Sequence, residues 1–259
     1  MAITLRSRRE IDLMRESGKV VADVLLKLQE MAEPGISTGR LNEISLEMAH
    51  KAGAEALFKG VRSSAASIPF PGAICASINE QIVHGIPSND CLLKEGDIVS
   101  IDFGIRLNGY CGDSAVTVPV GSITEEDQRL VNVTREVLDI AVKQSGPGIK
   151  WSQVATVMQA HAEDAGFSVV KDFVGHGIGR QMHEEPKVPN YVSRELLAND
   201  ILLKEGMILA VEPMVNAGGD GTRMLRDGWT VVTRDMKKSA HFEHTIAIVA
   251  DGCEVLTSG

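Results

Sequence analysis

Apolar residues recur near helical spacing from Ile11 to about Met31, at Ile11, Met14, Val20, Val21, Val24, Leu25 and Leu28. This predicts an amphipathic helix, ended by Pro34-Gly35. A second helix is expected from about Arg40 to Ala52, stopped by Gly53. A third follows Thr124, whose Asp127 three residues on resembles a capping box, and it stops before Gly146-Pro147. A fourth spans about Ser152 to Ala165. Apolar, strand-like runs lie at 98–107, 110–118, 168–174, 207–212, 229–233 and 242–249. Residues 60–75 are rich in Ser and Pro and read as loop. Helices and strands recur in both halves with no long linker, so the pattern predicts one α+β domain over residues 1–259.

One internal match stands out. Residues 89–96 read NDCLLKEG and residues 199–206 read NDILLKEG, with seven of eight positions identical at an offset of 110. The likeness continues into an apolar strand, where Asp102 lies against Glu212. Self-similarity of this kind predicts a duplicated unit, two similar halves around a shared core. A carboxylate ending a core strand needs a partner. Two at matched positions point to one shared site where the halves meet.

Asn108-Gly109 is a strong two-residue hairpin signal. If Leu107 pairs with Tyr110, then Asp102 faces Ala115 and Gly104 faces Asp113. Asp102 and Asp113 then share a face as diagonal neighbours. Like charges that close repel unless a positive charge intervenes, and a metal ion supplies one. Glu212 in LAVEPM, Glu243 in HFEHTIAIV and His176 in VGHGIG add ligand types at or near apolar runs. Four carboxylates and one imidazole suit a dinuclear site for divalent Mn, Fe, Co or Zn. A pair of ions can polarise a carbonyl and generate hydroxide near neutral pH.

Composition narrows the setting. Twenty-six Lys and Arg against 35 Asp and Glu give a net charge of −9, which argues against general nucleic-acid binding. No apolar run approaches the ~20 residues of a membrane span. The first residues carry basic side chains without an apolar h-region, so no secretory signal is expected. Cys75, Cys91, Cys111 and Cys253 form no CxxC pair, which predicts a reduced, cytoplasmic protein.

The motifs EIDLMRESGKV, SINEQIVHGIP, GDIVSIDFG, GYCGDSAVTV, VGHGIGRQMHEEP, ILAVEP, DGWTVVT and FEHTIAIV, in this order, span almost the whole chain. Together they resemble the bacterial, type I methionine aminopeptidases, which have a pseudo-two-fold "pita-bread" fold. The resemblance implies two divalent ions held by Asp102, Asp113, His176, Glu212 and Glu243. Asp113 and Glu243 would bridge, and His176 and Glu212 would share one ion. It implies that His84 hydrogen-bonds substrate near the scissile amide and that His183 holds the peptide carbonyl and its oxyanion. Water activated by the ions would attack the first peptide carbonyl, with Glu212 as general base and then acid. The substrate would be a newly made chain beginning with Met and a small residue, and the enzyme a monomer. The ribosome near its exit tunnel is a candidate partner.

The resemblance also places Phe70, Cys75, Met182 and Trp229 around an apolar pocket suited to a flexible thioether, with Cys75 as packing. Relatives often carry a Tyr-rich loop where Arg62–Pro69 is rich in Ser and Ala. Some have Phe at the position of Met182, and Gln is common at that of His241. GISTG at 35–39 matches the G-x-S-x-G pattern but follows a helix and Pro34, so Ser37 is expected to cap or turn. An Xaa-Pro peptidase of the same fold usually adds an N-terminal domain. A type II enzyme needs an insertion that the 35 residues between His176 and Glu212 do not accommodate. A binding module that had lost catalysis would typically lack some of the five ligands.

Overall fold

The computed structural model describes residues 3–258. Its helices are α1 (Arg8–Met31), α2 (Thr38–Lys51), α3 (Glu125–Gln144), α4 (Trp151–Asp164) and α5 (Arg194–Ala198). The strands of the first half are β1 (Glu55–Ala56), β2 (Ile74–Ile78), β3 (Gln81–Val83), β4 (Ile98–Leu107) and β5 (Tyr110–Pro119). Those that follow are β6 (Ser168–Val169), β7 (Gly175–Gly177), β8 (Glu184–Val188), β9 (Ile208–Val211) and β10 (Met214–Asn216). The last are β11 (Thr222–Met224), β12 (Val231–Thr233), β13 (Ser239–His241), β14 (Glu243–Val249) and β15 (Gly252–Val255).

The four long helices form where the periodicity puts them. α1 begins earlier than the apolar pattern suggests, because Ser7 and Glu10 form a capping box: Ser7 Oγ accepts from the Glu10 N–H, and the Ser7 N–H donates to Glu10 Oε2 at 2.9 Å. Thr124 caps α3 through the Asp127 N–H at 3.1 Å. Ser37 caps α2 by accepting from the Arg40 N–H, which gives GISTG its turn role. The expected strand at 168–174 shortens to Ser168–Val169, and β2 starts at Ile74, inside the stretch read as loop.

A nine-stranded antiparallel sheet carries the architecture, in the order β1-β4-β5-β14-β9-β7-β8, with β2 on β4 and β15 on β14. Two three-stranded sheets flank it, β13-β10-β6 and β11-β12-β3. One core gathers Leu25, Leu28, Leu41, Ile74, Ile101 and Phe103 between α1, α2 and the first strands. A second gathers Leu130, Val137, Trp151, Met158, Leu209 and Ile246 around α3 and α4.

The two matched segments make matching backbone bonds. The Leu93 N–H donates to the Ile36 carbonyl and the Leu93 carbonyl accepts from the Gly35 N–H, while the Leu203 N–H donates to the Ile149 carbonyl and the Leu203 carbonyl accepts from the Gly148 N–H. Gly96 and Gly206 both turn at φ 88°, a left-handed conformation suited to glycine. Each segment thus ties the connection between two helices to the start of β4 or β9.

α1 passes nearly backbone to backbone over β5, where a Cβ at Gly112 would lie 2.9 Å from the Gly18 nitrogen, and over the chain that follows β15. A Cβ at Gly18 would lie 2.0 Å from the Leu256 carbonyl oxygen. Gly18→Ala is therefore expected to destabilise the fold by about 1–3 kcal/mol, despite the better helix propensity of Ala. Urea unfolding checks this, and an unchanged or higher midpoint would contradict the close approach.

Candidate active site

The Asn108-Gly109 hairpin sets the register. Both residues have positive φ, 52° and 81°, and Leu107 pairs with Tyr110. Asp102 then lies opposite Ala115, and Gly104 opposite Asp113. Across the next strands Ala115 pairs with Glu243, and Cys75 pairs with Asp102 on the other side. Glu212 follows directly on Val211, which pairs with His244, so it stands beside Glu243 at the end of β9. One row of the sheet therefore reads Cys75, Asp102, Ala115, Glu243, Glu212.

The neighbouring row reads Gly104, Asp113, Thr245, Ala210, His176. Thr245 Oγ1 locks it to β5, accepting from the Asp113 N–H and donating to the Asp113 carbonyl, at 3.1 and 2.8 Å. Small residues separate the ligand types, and this spacing makes the site possible. A Cβ at Gly104 would meet Met182 Cε at 2.7 Å and Asp113 Oδ1 at 2.9 Å.

This face holds five ligand-type groups in little water. Asp113 and Glu243 are buried, while Asp102 and Glu212 are half-buried. Burial, and after it the charge of neighbouring carboxylates, pushes Asp102, Glu212 and Glu243 well above the usual carboxylate range. Burial pushes Asp113 up to about 7. Asp102 Oδ1, Asp113 Oδ1 and Glu243 Oε1 are buried and accept no hydrogen bond from the described residues. Ligand atoms of Asp113, His176 and Glu243 lie within 4.8 Å of one another. Buried, converging acceptors without donors fit hard or borderline divalent cations.

His176 is prepared as a ligand. Its Nδ1 lies 2.9 Å from the Gly177 carbonyl, which can only accept, so Nδ1 carries the proton and Nε2 presents a lone pair. Nε2 lies 3.5 Å from Glu212 Oε1. Burial holds the His176 pKa down at about 4, which keeps the ring neutral. His84 behaves likewise, lowered to about 4 by burial and then by nearby His183. Its backbone sits at φ 59°, uncommon for a residue with a side chain, and Phe173 packs edge-on at 5.6 Å. His183 stands exposed in the β7–β8 connection, its ring 4.4 Å from that of His176.

Beside this face lies a cavity of about 130 Å³. Phe70, Cys75, Met182 and Trp229 line its apolar side, and the five ligand-type residues with His84 and His183 line the rest. Phe70 and Trp229 stack edge to face at 5.3 Å, and Trp229 Nε1 donates to the Ile68 carbonyl at 3.0 Å. Burial, then the neighbouring Asp102, pushes the Cys75 thiol up, which suits packing and not nucleophilic attack. A wider groove opens outside and shares Val61, His84, His176, His183, Glu212 and Trp229 with the cavity.

Residues 12–250 match the model of metallopeptidase family M24. The chain belongs to this family. It is 46% identical over 255 residues to methionine aminopeptidase 1 of Bacillus subtilis, covering 98% of this chain and 99% of the relative. It superposes on the crystal structure of a methionine aminopeptidase from Thermotoga maritima with a TM-score of 0.94, at 41% identity, covering all of both chains. The prolidase of Pyrococcus horikoshii shares the fold, with a TM-score of 0.76 at 21% identity, over 98% of this chain and 63% of that one. The fold is the α+β pita-bread fold of these metallopeptidases, and within M24 the chain groups with the bacterial, type I methionine aminopeptidases.

The sequence reading of this M24 chain missed two cavity residues, Phe58 and Val61. Phe58 is buried against the Phe70–Trp229 pair, and Val61 forms an exposed rim. Neither sits in a motif, and only tertiary packing brings them in. His241 is buried with Nε2 unpartnered, two residues from Glu243. His244 points to the opposite face and bonds Thr257 Oγ1 through Nδ1 at 2.9 Å, away from the site.

Because Gly104 leaves room for Asp113, Gly104→Val is expected to weaken Mn(II) binding by about tenfold or more. Isothermal titration calorimetry on chelator-stripped protein reads this. Parental affinity in the variant would show that the gap is not needed.

Proposed function

We propose that this chain is a metal-dependent methionine aminopeptidase, acting on polypeptides whose free N-terminal Met is followed by a small residue. The observation that carries the reading is the union of a buried, donor-poor ligand face with a small pocket that is apolar on one side. That relatives at 41–46% identity are methionine aminopeptidases supports it. The whole chain would act as one catalytic domain of two pseudo-symmetric halves, which the matching bonds of the 89–96 and 199–206 segments favour.

Two divalent ions, Mn, Fe, Co or Zn, would be held by Asp102, Asp113, His176, Glu212 and Glu243. Such ions polarise a carbonyl and lower the pKa of water. The chain's own residues do the rest. The pocket of Phe70, Cys75, Met182 and Trp229 takes the thioether side chain, and the packed Phe70–Trp229 pair limits how far the first residue enters. Neutral His84, held by its backbone and Phe173, hydrogen-bonds the substrate beside the scissile amide. Glu212 takes a proton from the attacking water and later delivers one to the leaving amine. His183, at the mouth, donates to the carbonyl oxygen as its negative charge grows.

The setting follows from the same reading. Nascent chains with free N-termini are the substrates, and the ribosomal exit tunnel is where they emerge. No helix among the described residues is long and apolar enough to cross a membrane. A cytoplasmic monomer that does not bind nucleic acid fits this role and the net charge of −9.

The test strips the protein with chelator and reloads it separately with Mn(II), Fe(II), Co(II) and Zn(II). Met-Ala, Met-Gly, Met-Lys, Ala-Pro and N-acetylated Met-Ala peptides are then offered. Metal-restored release of Met from Met-Ala and Met-Gly alone is expected. Release only from Ala-Pro would transfer the reading to the proline-directed members of the fold, and no release from folded, metal-binding protein would end it.

Glu212→Gln should lower kcat by at least ~100-fold, through loss of a base and a ligand together. His183→Ala should lower kcat by roughly 100-fold with a smaller change in KM, because its hydrogen bond strengthens toward the transition state. Steady-state kinetics separates the two parameters. Unchanged turnover in either variant would refute its assigned role.

A further inference from the structure

Glu212 and Glu243 share an unusual backbone position. β9 belongs to the nine-stranded sheet, whereas β10, two residues on, belongs to a three-stranded one. The partner strands switch in the same place: β13 pairs with β10, and after Phe242 the chain continues as β14, which pairs with β9. A two-stranded ribbon therefore bends from one sheet into the other. Glu212 lies in one arm of the bend and Glu243 starts the strand leaving the other. The direction of both carboxylates follows from the angle of this bend.

Ladder bonds between strands are sparse at the bend. Pro213 has no N–H to give. Its carbonyl accepts from the Phe242 N–H at 3.3 Å, one bond across the ribbon. Side chains supply other bonds. Asn190, fully buried, donates from Nδ2 to the Glu212 carbonyl at 3.1 Å. Thr117, also buried, accepts from the His241 N–H and donates to the His241 carbonyl, both at 2.8 Å. A threonine hydroxyl has one proton, which the His241 carbonyl uses. Ser100 Oγ, 2.8 Å away, must therefore donate to Thr117. The Thr117 hydroxyl is thus engaged in three bonds, clamping His241 two residues before Glu243.

We propose that Thr117 and Asn190 are positioning residues of the reaction, which fix the ribbon bend and thereby aim Glu243 and Glu212 at the shared site. Neither residue lines the cavity. Each acts through a main-chain group of the bend. Thr117→Val keeps the shape of the side chain while stranding the buried N–H and C=O of His241. Asn190→Leu removes the donor to the Glu212 carbonyl at similar volume. This inference rests on the aminopeptidase reading for its kinetic arm, while its ion-binding arm is independent of that reading.

The experiment compares parent, Thr117→Val, Thr117→Ser and Asn190→Leu. Calorimetry measures Mn(II) affinity on stripped protein, and kinetics on Mn(II)-loaded protein gives kcat and KM for a Met-Ala-Ser peptide. Thermal melting reports folding. Thr117→Val and Asn190→Leu should each lower Mn(II) affinity and kcat by about tenfold to a hundredfold, with KM within about threefold of the parent. Thr117→Ser, which keeps the hydroxyl, should stay within about threefold of the parent throughout. Cooperatively melting Thr117→Val and Asn190→Leu proteins with parental affinity and kcat would overturn the proposal. So would equal losses in Thr117→Ser and Thr117→Val, because a variant that keeps the hydroxyl would then fare no better than one that lacks it. If Thr117→Val does not fold, Asn190→Leu alone decides by the same thresholds. A parent that binds Mn(II) but releases no Met would defeat the functional reading, while the affinity comparison would still decide this one.

Discussion

Four carboxyl groups share one face of a sheet, with oxygen atoms of three of them buried and given no donor by the described residues. Without a cation, burial and mutual repulsion favour their protonation, as the raised pKa values of Asp102, Glu212 and Glu243 express. With divalent ions the same repulsion becomes affinity, because each carboxylate gains the partner that burial has denied it. The rest of the architecture serves this arrangement. Gly104, Ala115 and Ala210 keep side-chain bulk out of the two rows, Thr245 locks Asp113 to β14, and the ribbon bend turns Glu212 and Glu243 toward the same point.

Selectivity comes from what adjoins the face. The apolar side of the pocket is formed by Phe70, Cys75, Met182 and Trp229, where a thioether would bury its surface at little cost in lost hydrogen bonds. The outer groove is larger, about 840 Å³, and carries Arg180, Glu184, Glu185 and Lys187. In the proposed reaction a substrate chain would meet a narrow recess, apolar on one side, for its first residue and a wider groove with charged side chains beyond it. His84 and His183 stand at the boundary between the two, where the scissile bond would lie.

Much of this was legible in the chain. The Asn108-Gly109 turn fixed the β4–β5 register, and with it the shared face of Asp102 and Asp113, because positive φ at both residues selects one hairpin geometry. The NDCLLKEG and NDILLKEG segments pointed to matched strand ends, since the same turn must precede each strand. His176 was different: its residue type and Gly-rich setting are common, and resemblance to a family singled it out. Phe58 and Val61 escaped because packing, not motif, brings them to the cavity. β2 was half hidden by the Ser- and Pro-rich stretch before it, and β3, β7 and β10 are too short to show a period. Thr117 reads as an ordinary strand residue. Only the three-dimensional path of the ribbon reveals the groups that its hydroxyl satisfies.

The proposed function requires the face formed by β4, β5, β14, β9 and β7 to hold two divalent cations. Anomalous diffraction at the manganese edge from Mn(II)-loaded crystals tests it most directly. Two peaks are predicted, ~3.5–4 Å apart, with Asp113 and Glu243 between them, Asp102 on one side and His176 with Glu212 on the other. Saturated protein whose manganese lies elsewhere, or whose carboxylate face holds none, would contradict the account.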